Sequence, residues 1–67
     1  MEFFRIPFEN KEIIYRPKLH FAVMANRFAA DLADEICNDP GKLNELLQYE
    51  AIHYLKDSGF FLEDPII

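Results

Sequence analysis

The sequence has few of the residues on which common catalytic and structural sites depend. It contains one cysteine, one serine, two glycines, and no tryptophan or threonine in 67 residues. The single Cys37 cannot form an internal disulfide, whereas a small secreted domain usually carries two or more. The isolated Gly41 and Gly59 do not make a glycine-rich phosphate loop. We therefore expect a reducing compartment and predict a cytoplasmic protein that uses no cofactor.

Long hydrophobic runs are also absent. No apolar run approaches the roughly 20 residues that span a bilayer. Glu2, Arg5 and Glu9 interrupt the opening residues, where a signal peptide would be apolar. We expect no membrane association. Yet 51% of the residues are hydrophobic, which is a larger apolar fraction than the interior of so small a domain can easily bury. We therefore expect homodimerisation or another partner.

Charge is distributed unevenly along the chain. The net charge is −5, but residues 1–27 hold five bases and three acids, whereas residues 28–67 hold two bases and nine acids. An acidic surface repels nucleic acid and favours basic protein partners. Nucleic acid is therefore the less favoured partner.

The chain opens with two short runs of β-prone residues in which apolar and polar side chains alternate. A two-residue loop at Asn10 and Lys11 would set Phe8 opposite Ile13 and bring the apolar sides of both runs together. The pattern predicts a β-hairpin over residues 2–16.

Two helices are predicted after the hairpin. Apolar residues recur every three or four positions over residues 17–38, which is typical of an amphipathic helix. Asp39 as N-cap and Pro40 in the first turn favour a second helix over residues 40–58. Gly59 suits the left-handed conformation that ends helices. The remaining residues, 60–67, form an apolar tail that we expect to dock as an extended segment.

The fold class predicted from these elements is α+β. The expected arrangement is one small domain over residues 1–67, with an N-terminal hairpin, two antiparallel helices (ββαα) and the docked tail. Nothing in the composition divides the chain into further domains.

Candidate chemistry is sparse. The two histidines, His20 and His53, fall on different predicted helices, and a Cys37–His53 pair would need those helices to juxtapose them. The acids of the first helix follow helical spacing and not a metal-binding loop. We therefore predict that the protein is not an enzyme and holds no metal.

The favoured function is a small acidic protein-binding module, a stoichiometric inhibitor or adaptor of the phage or mobile-element type. It would act on a basic surface of a partner, in possible competition with nucleic acid. Acids and one aromatic anchor are the expected contacts, since aromatic anchors often dominate interface energies. The candidate partner-binding residues are Asp31, Asp34, Glu35, Asp39, Glu45, Tyr49 and Ile52.

Two alternatives stay open. One is a homodimeric nucleic-acid-binding regulator that uses the basic N-terminal third, with Arg16, Lys18, His20 and Arg27 as the contacts. The other is a structural subunit of an oligomer, in which the apolar excess forms a permanent interface.

Overall fold

The structure, a computed structural model, describes residues 2–63 and 65. It is an α+β fold in which a three-stranded antiparallel sheet precedes the helices. The strands are β1 (Phe4–Phe8), β2 (Lys11–Arg16) and β3 (Phe21–Asn26), in the spatial order β1-β2-β3. The helices are α1 (Arg27–Asn38), α2 (Leu43–Leu46) and α3 (Glu50–Asp57), and short 3-10 turns lie at Pro17–Leu19 and Pro40–Lys42.

The hairpin is present, but its predicted register is wrong by two residues. Glu9 and Asn10 form the loop, so Phe8 lies opposite Lys11 and not opposite Ile13. Glu9 takes the left-handed conformation with φ 56°. Because a shift of two residues preserves the alternation of a strand, the same side chains still share a face.

The predicted helix over residues 17–38 is wrong in its first ten residues. Residues 21–26 form β3, in which Phe21, Val23 and Ala25 are half-buried while the residues between them are exposed. His20 turns the chain into β3 with φ 53°. Pairing with β2 along one edge of this segment outweighs the helical propensity of its alanines and methionine.

The predicted helix over residues 40–58 is interrupted. Asp39 accepts a hydrogen bond from the Gly41 N–H at 3.2 Å, but it caps a 3-10 turn that leads into the single turn α2. Tyr49 has extended backbone, and α3 begins after it. Gly59 does take the left-handed conformation, with φ 90°, and ends α3.

One face of the sheet packs against the helices. Ile14 of β2 joins Ala33 and Ile36 of α1 and Leu55 of α3 in a single core. Phe60 is fully buried there and makes edge-to-face contacts with Phe3, Phe21 and Phe61.

The first tail residues are therefore in the core, but the predicted extended tail is not observed among the described residues. Residues 60 and 61 belong to a turn after α3. Of the tail's last four residues, 64, 66 and 67 lie outside the part of the chain that the structure describes. The ββαα arrangement is thus replaced by three strands followed by three helices.

Candidate protein-binding surface

No described helix or strand covers the face of the sheet that points away from the helices, and we call it the open face. Strand pairing sets its side chains in three rows across β1, β2 and β3. The rows are Phe4, Tyr15 and Ala22; Ile6, Ile13 and Met24; and Phe8, Lys11 and Asn26.

Large apolar side chains dominate the open face. Phe4 and Phe8 are each 51% exposed, and Ile6 and Met24 are each 48% exposed. A phenylalanine can bury roughly 150–250 Å², so each of these two leaves about 100 Å² in solvent. With Ile6 and Met24 the patch is about 300–400 Å², which is within the range of the largest apolar patch on a typical monomer. Such patches commonly mark binding sites.

The opposite face of the sheet carries charged groups beneath the helix layer. Arg5 and Glu12 lie on this inner face, beside Ile14 and Arg16. Two-layer domains usually bury the apolar face of a sheet and leave the polar face in water. Here β1 does the reverse, because its three large apolar residues point to solvent while its arginine points inward.

Arg5 is the centre of an ion cluster that joins the sheet to α1. Its Nε and Nη2 atoms donate to the two carboxylate oxygens of Glu12 at 2.8 and 2.6 Å. Nη2 also donates to Asp31 at 2.7 Å, and Nη1 donates to Asp34 at 3.2 Å. Arg27 Nε lies 3.9 Å from Glu12. The Arg5 guanidinium therefore donates to three carboxylates, two of which come from the helix.

These contacts shift the ionisation of both central partners. The hydrogen bonds that Arg5 donates lower the pKa of Glu12 below its usual value. The same hydrogen bonds to Glu12, with further ones to Asp31 and Asp34, raise the pKa of Arg5. Both shifts favour the charged forms of Arg5 and Glu12, and the hydrogen bonds from Arg5 to Asp31 and Asp34 link this pair to α1.

The acids predicted to bind a partner fall into two groups. Asp31 and Asp34 are engaged by Arg5, and Asp34 also accepts a hydrogen bond from Asn38 at 3.1 Å. The others are exposed on the helix layer: Glu35, Asp39 and Glu45. Because the helices cover the inner face of the sheet, these acids do not belong to the open face.

The two predicted apolar contacts also separate. Tyr49 is half-buried and packs edge-to-face on Phe28, with ring centroids 5.4 Å apart. Ile52 is fully buried, so its assignment as a surface contact is wrong. α3 begins only after the break at Tyr49, and it turns Ile52 toward the core beside Leu55 while Tyr54 is 60% exposed.

The basic residues predicted for nucleic acid are likewise divided. Lys18, His20 and Arg27 are exposed, but Arg16 has no exposed surface. Its Nη1 donates to the Phe60 carbonyl at 2.6 Å and to the Leu62 carbonyl. Arg16 therefore holds the chain after α3 against β2, and its assignment as a nucleic-acid contact is wrong in this structure.

The residues considered for catalysis do not form a recognisable site. Cys37 is buried in the core, and His53 lies at the surface with its Nδ1 atom 3.1 Å from Asp57 Oδ2. Over residues 2–63 and 65, no group of three or more histidine, cysteine, aspartate or glutamate residues is placed to hold a metal ion. Within that same part of the chain, no helix has the length and apolar character needed to cross a membrane.

Sequence reasoning did not single out the open face as a candidate site, although its alternation was visible. The period of two in β1 and β2 identified the side chains that share a face. It did not show which face the helices would cover, since that depends on β3 and on Arg5. Comparison with known proteins adds no constraint, because no protein-family model, curated protein or solved structure matches the chain.

Proposed function

We propose that the protein is a non-catalytic binding module, a stoichiometric inhibitor or adaptor, and that its open face contacts a partner protein. The observation that carries this proposal is the orientation of β1. Phe4, Ile6 and Phe8 stand in solvent while Arg5 is turned toward the helices. Leaving three large apolar side chains in water is unfavourable, and a partner that covers them removes that cost.

The chemistry of the open face favours a protein over a nucleic acid. Lys11 is its one charged residue among the three rows. Binding of nucleic acid depends strongly on several lysine or arginine contacts to phosphates. Aromatic residues on a sheet can stack on bases, but such platforms work beside a basic groove. The partner expected here presents an apolar surface.

A second surface is available for a basic partner, as the sequence suggested. Glu35, Asp39 and Glu45 are exposed on the helix layer, and acids there steer association with a positively charged protein. Rim charges act mainly on the rate of association, whereas desolvated apolar anchors contribute most of the affinity. We therefore assign the affinity to the open face and a steering role to these acids.

The nucleic-acid regulator has less support because Arg16 is buried, which leaves Lys18, His20 and Arg27 as its exposed groups. The structural-subunit alternative remains open, since two copies could cover each other's open faces.

The experiment is photo-crosslinking in the native host. Phe8 is replaced by p-benzoylphenylalanine, which keeps an aromatic group on the open face. The matched control carries the same group at Asn44, an exposed position of α2. Adducts are resolved by mass and identified.

A discrete adduct with one other protein from the Phe8 position, and none from Asn44, is the expected result. An adduct with twice the mass of this chain would instead make the open face a subunit interface. Crosslinks to nucleic acid from Phe8 would support the regulator. Equal labelling from both positions would contradict a specific role for the open face.

A further inference from the structure

The outer edge of β3 is open to strand addition. β3 pairs with β2 on one side, and no other described strand lies on its second side. Natural edge strands usually resist unwanted pairing with charged residues or proline. The opposite edge, β1, contains both Arg5 and Pro7, but residues 21–26 contain neither a charged residue nor a proline. β3 therefore lacks the features that normally protect an edge.

A groove runs beside this edge, between β3 and α3. Its volume is about 370 Å³, which is within the roughly 300–1,000 Å³ of typical ligand sites. Small side chains from three elements, Ala25, Ala29 and Ala51, leave room in it, and Leu55 and Tyr54 form part of its apolar wall. Glu50 is the one acidic residue among the lining groups.

From these features we infer that β3 accepts an extended peptide segment of a partner as a fourth strand. The peptide backbone would hydrogen-bond to the free edge of β3, as in other complexes formed by strand addition. Because side chains alternate along a strand, every second one would enter the groove. The groove selects small or branched apolar side chains there, and Glu50 selects a lysine or arginine nearby.

The inference does not depend on the proposed role of the open face. Met24 and Asn26 are the residues that both surfaces share, so variants at other positions can be chosen that affect either surface alone. Ala51 lines the groove from α3, which lies on the other side of the sheet from the open face, and it is not one of the open-face residues.

The test is selection of random heptapeptides displayed on phage, with the full chain as bait. Parallel selections use A51R, which fills the groove and opposes a basic peptide, and Q48R, which adds the same charge at an exposed position that does not line the groove. The strongest peptide is then added to labelled protein, and amide hydrogen exchange is measured by NMR.

The expected result is a set of peptides with alternating apolar residues and one lysine or arginine. We expect A51R to reduce their binding at least tenfold and Q48R to change it less than twofold. Amides of β3 should become protected from exchange when peptide is bound. The inference is overturned if no peptide depends on Ala51, or if the protected amides lie outside residues 21–26. Protection that rises with protein concentration alone would also overturn it, because the occupant would then be a second copy.

Discussion

At the scale of single residues, two arginines on the inner face of the sheet have structural roles that their sequence positions do not reveal. Arg5 and Arg16 each occupy a polar position in a strand of alternating apolar and polar residues. The side chain at such a position is ordinarily expected to be exposed to solvent. In the fold, Arg16 bonds to carbonyls after α3, and Arg5 collects carboxylates from β2 and α1. Their partners lie up to 46 positions away in sequence, so local pattern could not identify them.

The buried guanidinium of Arg16 should not tolerate replacement by lysine. Arg16 donates to both carbonyls from Nη1, and lysine, whose side chain is one bond shorter, places its ammonium group short of that position and loses the rest of the guanidinium. We expect R16K to lower the free energy of unfolding by about 1–3 kcal/mol, as for lost hydrogen bonds to a charged group. Urea denaturation followed by circular dichroism measures this, with R27K as the exposed control. Equal stability of R16K and the wild type would contradict the structural role of Arg16.

Acid should weaken the Arg5 cluster through Glu12. The pKa of Glu12 is lowered in the folded state by its hydrogen bonds with Arg5, so its contribution to stability is present above the unfolded value of about 4.5. That contribution falls as the pH drops below this value and is lost once the pH passes the folded pKa.

The measurement is the free energy of unfolding between pH 7 and pH 3 for the wild type, E12Q and the exposed control E45Q. E12Q should be less stable at pH 7 and should show a smaller loss below pH 4.5, because it has no carboxylate at position 12 to protonate. E45Q should follow the wild type. A wild-type acid response in E12Q would show that Glu12 is not responsible.

At the scale of elements, the sequence predicted some parts well for identifiable reasons. Alternation located the hairpin, and the left-handed preference of glycine identified the helix end at Gly59. The secondary-structure prediction failed over residues 21–26, because the alanine, methionine and phenylalanine residues there fit a helical spacing as well as an alternating one. It also failed at Tyr49, where no glycine or proline marks the break.

Asn26 gives the sharpest test of the boundary between β3 and α1. Its side-chain oxygen accepts a hydrogen bond from the Ala29 N–H at 2.8 Å, so it is the N-cap of α1. N26A should therefore destabilise the protein by about 1 kcal/mol. Were residues 17–38 one helix, Asn26 would lie inside it, and the same change would increase stability because alanine is the better helix former.

Thermal unfolding of N26A beside N44A, an exposed asparagine in α2, distinguishes these cases by the sign of the change. A higher melting temperature for N26A than for the wild type would contradict the observed boundary.

At the scale of the whole molecule, the two layers present different chemistry to solvent. The sheet layer exposes an apolar surface with one lysine, and the helix layer exposes acids such as Glu35 and Glu45. The sequence predicted the acidic layer from the excess of acids in residues 28–67. It could not predict the open face, since burial of a face depends on where the helices dock, and the contacts of Arg5 with α1 are between residues far apart in sequence.

The central claim is that the open face supplies the affinity for a partner protein. Its most direct test uses the partner protein that is identified by crosslinking from position 8. The dissociation constant of its complex with this chain is measured by isothermal titration calorimetry. Three folded variants are compared with the wild type: I6K on the open face, E35K on the acidic layer, and Q48K as the matched single-charge control.

The account predicts that I6K weakens binding by about thirtyfold or more, which corresponds to a hot-spot loss of about 2 kcal/mol. Q48K and E35K should each change the constant by less than about threefold at physiological salt. A thirtyfold loss in E35K together with wild-type affinity in I6K would contradict the account and place the binding surface on the acidic helix layer.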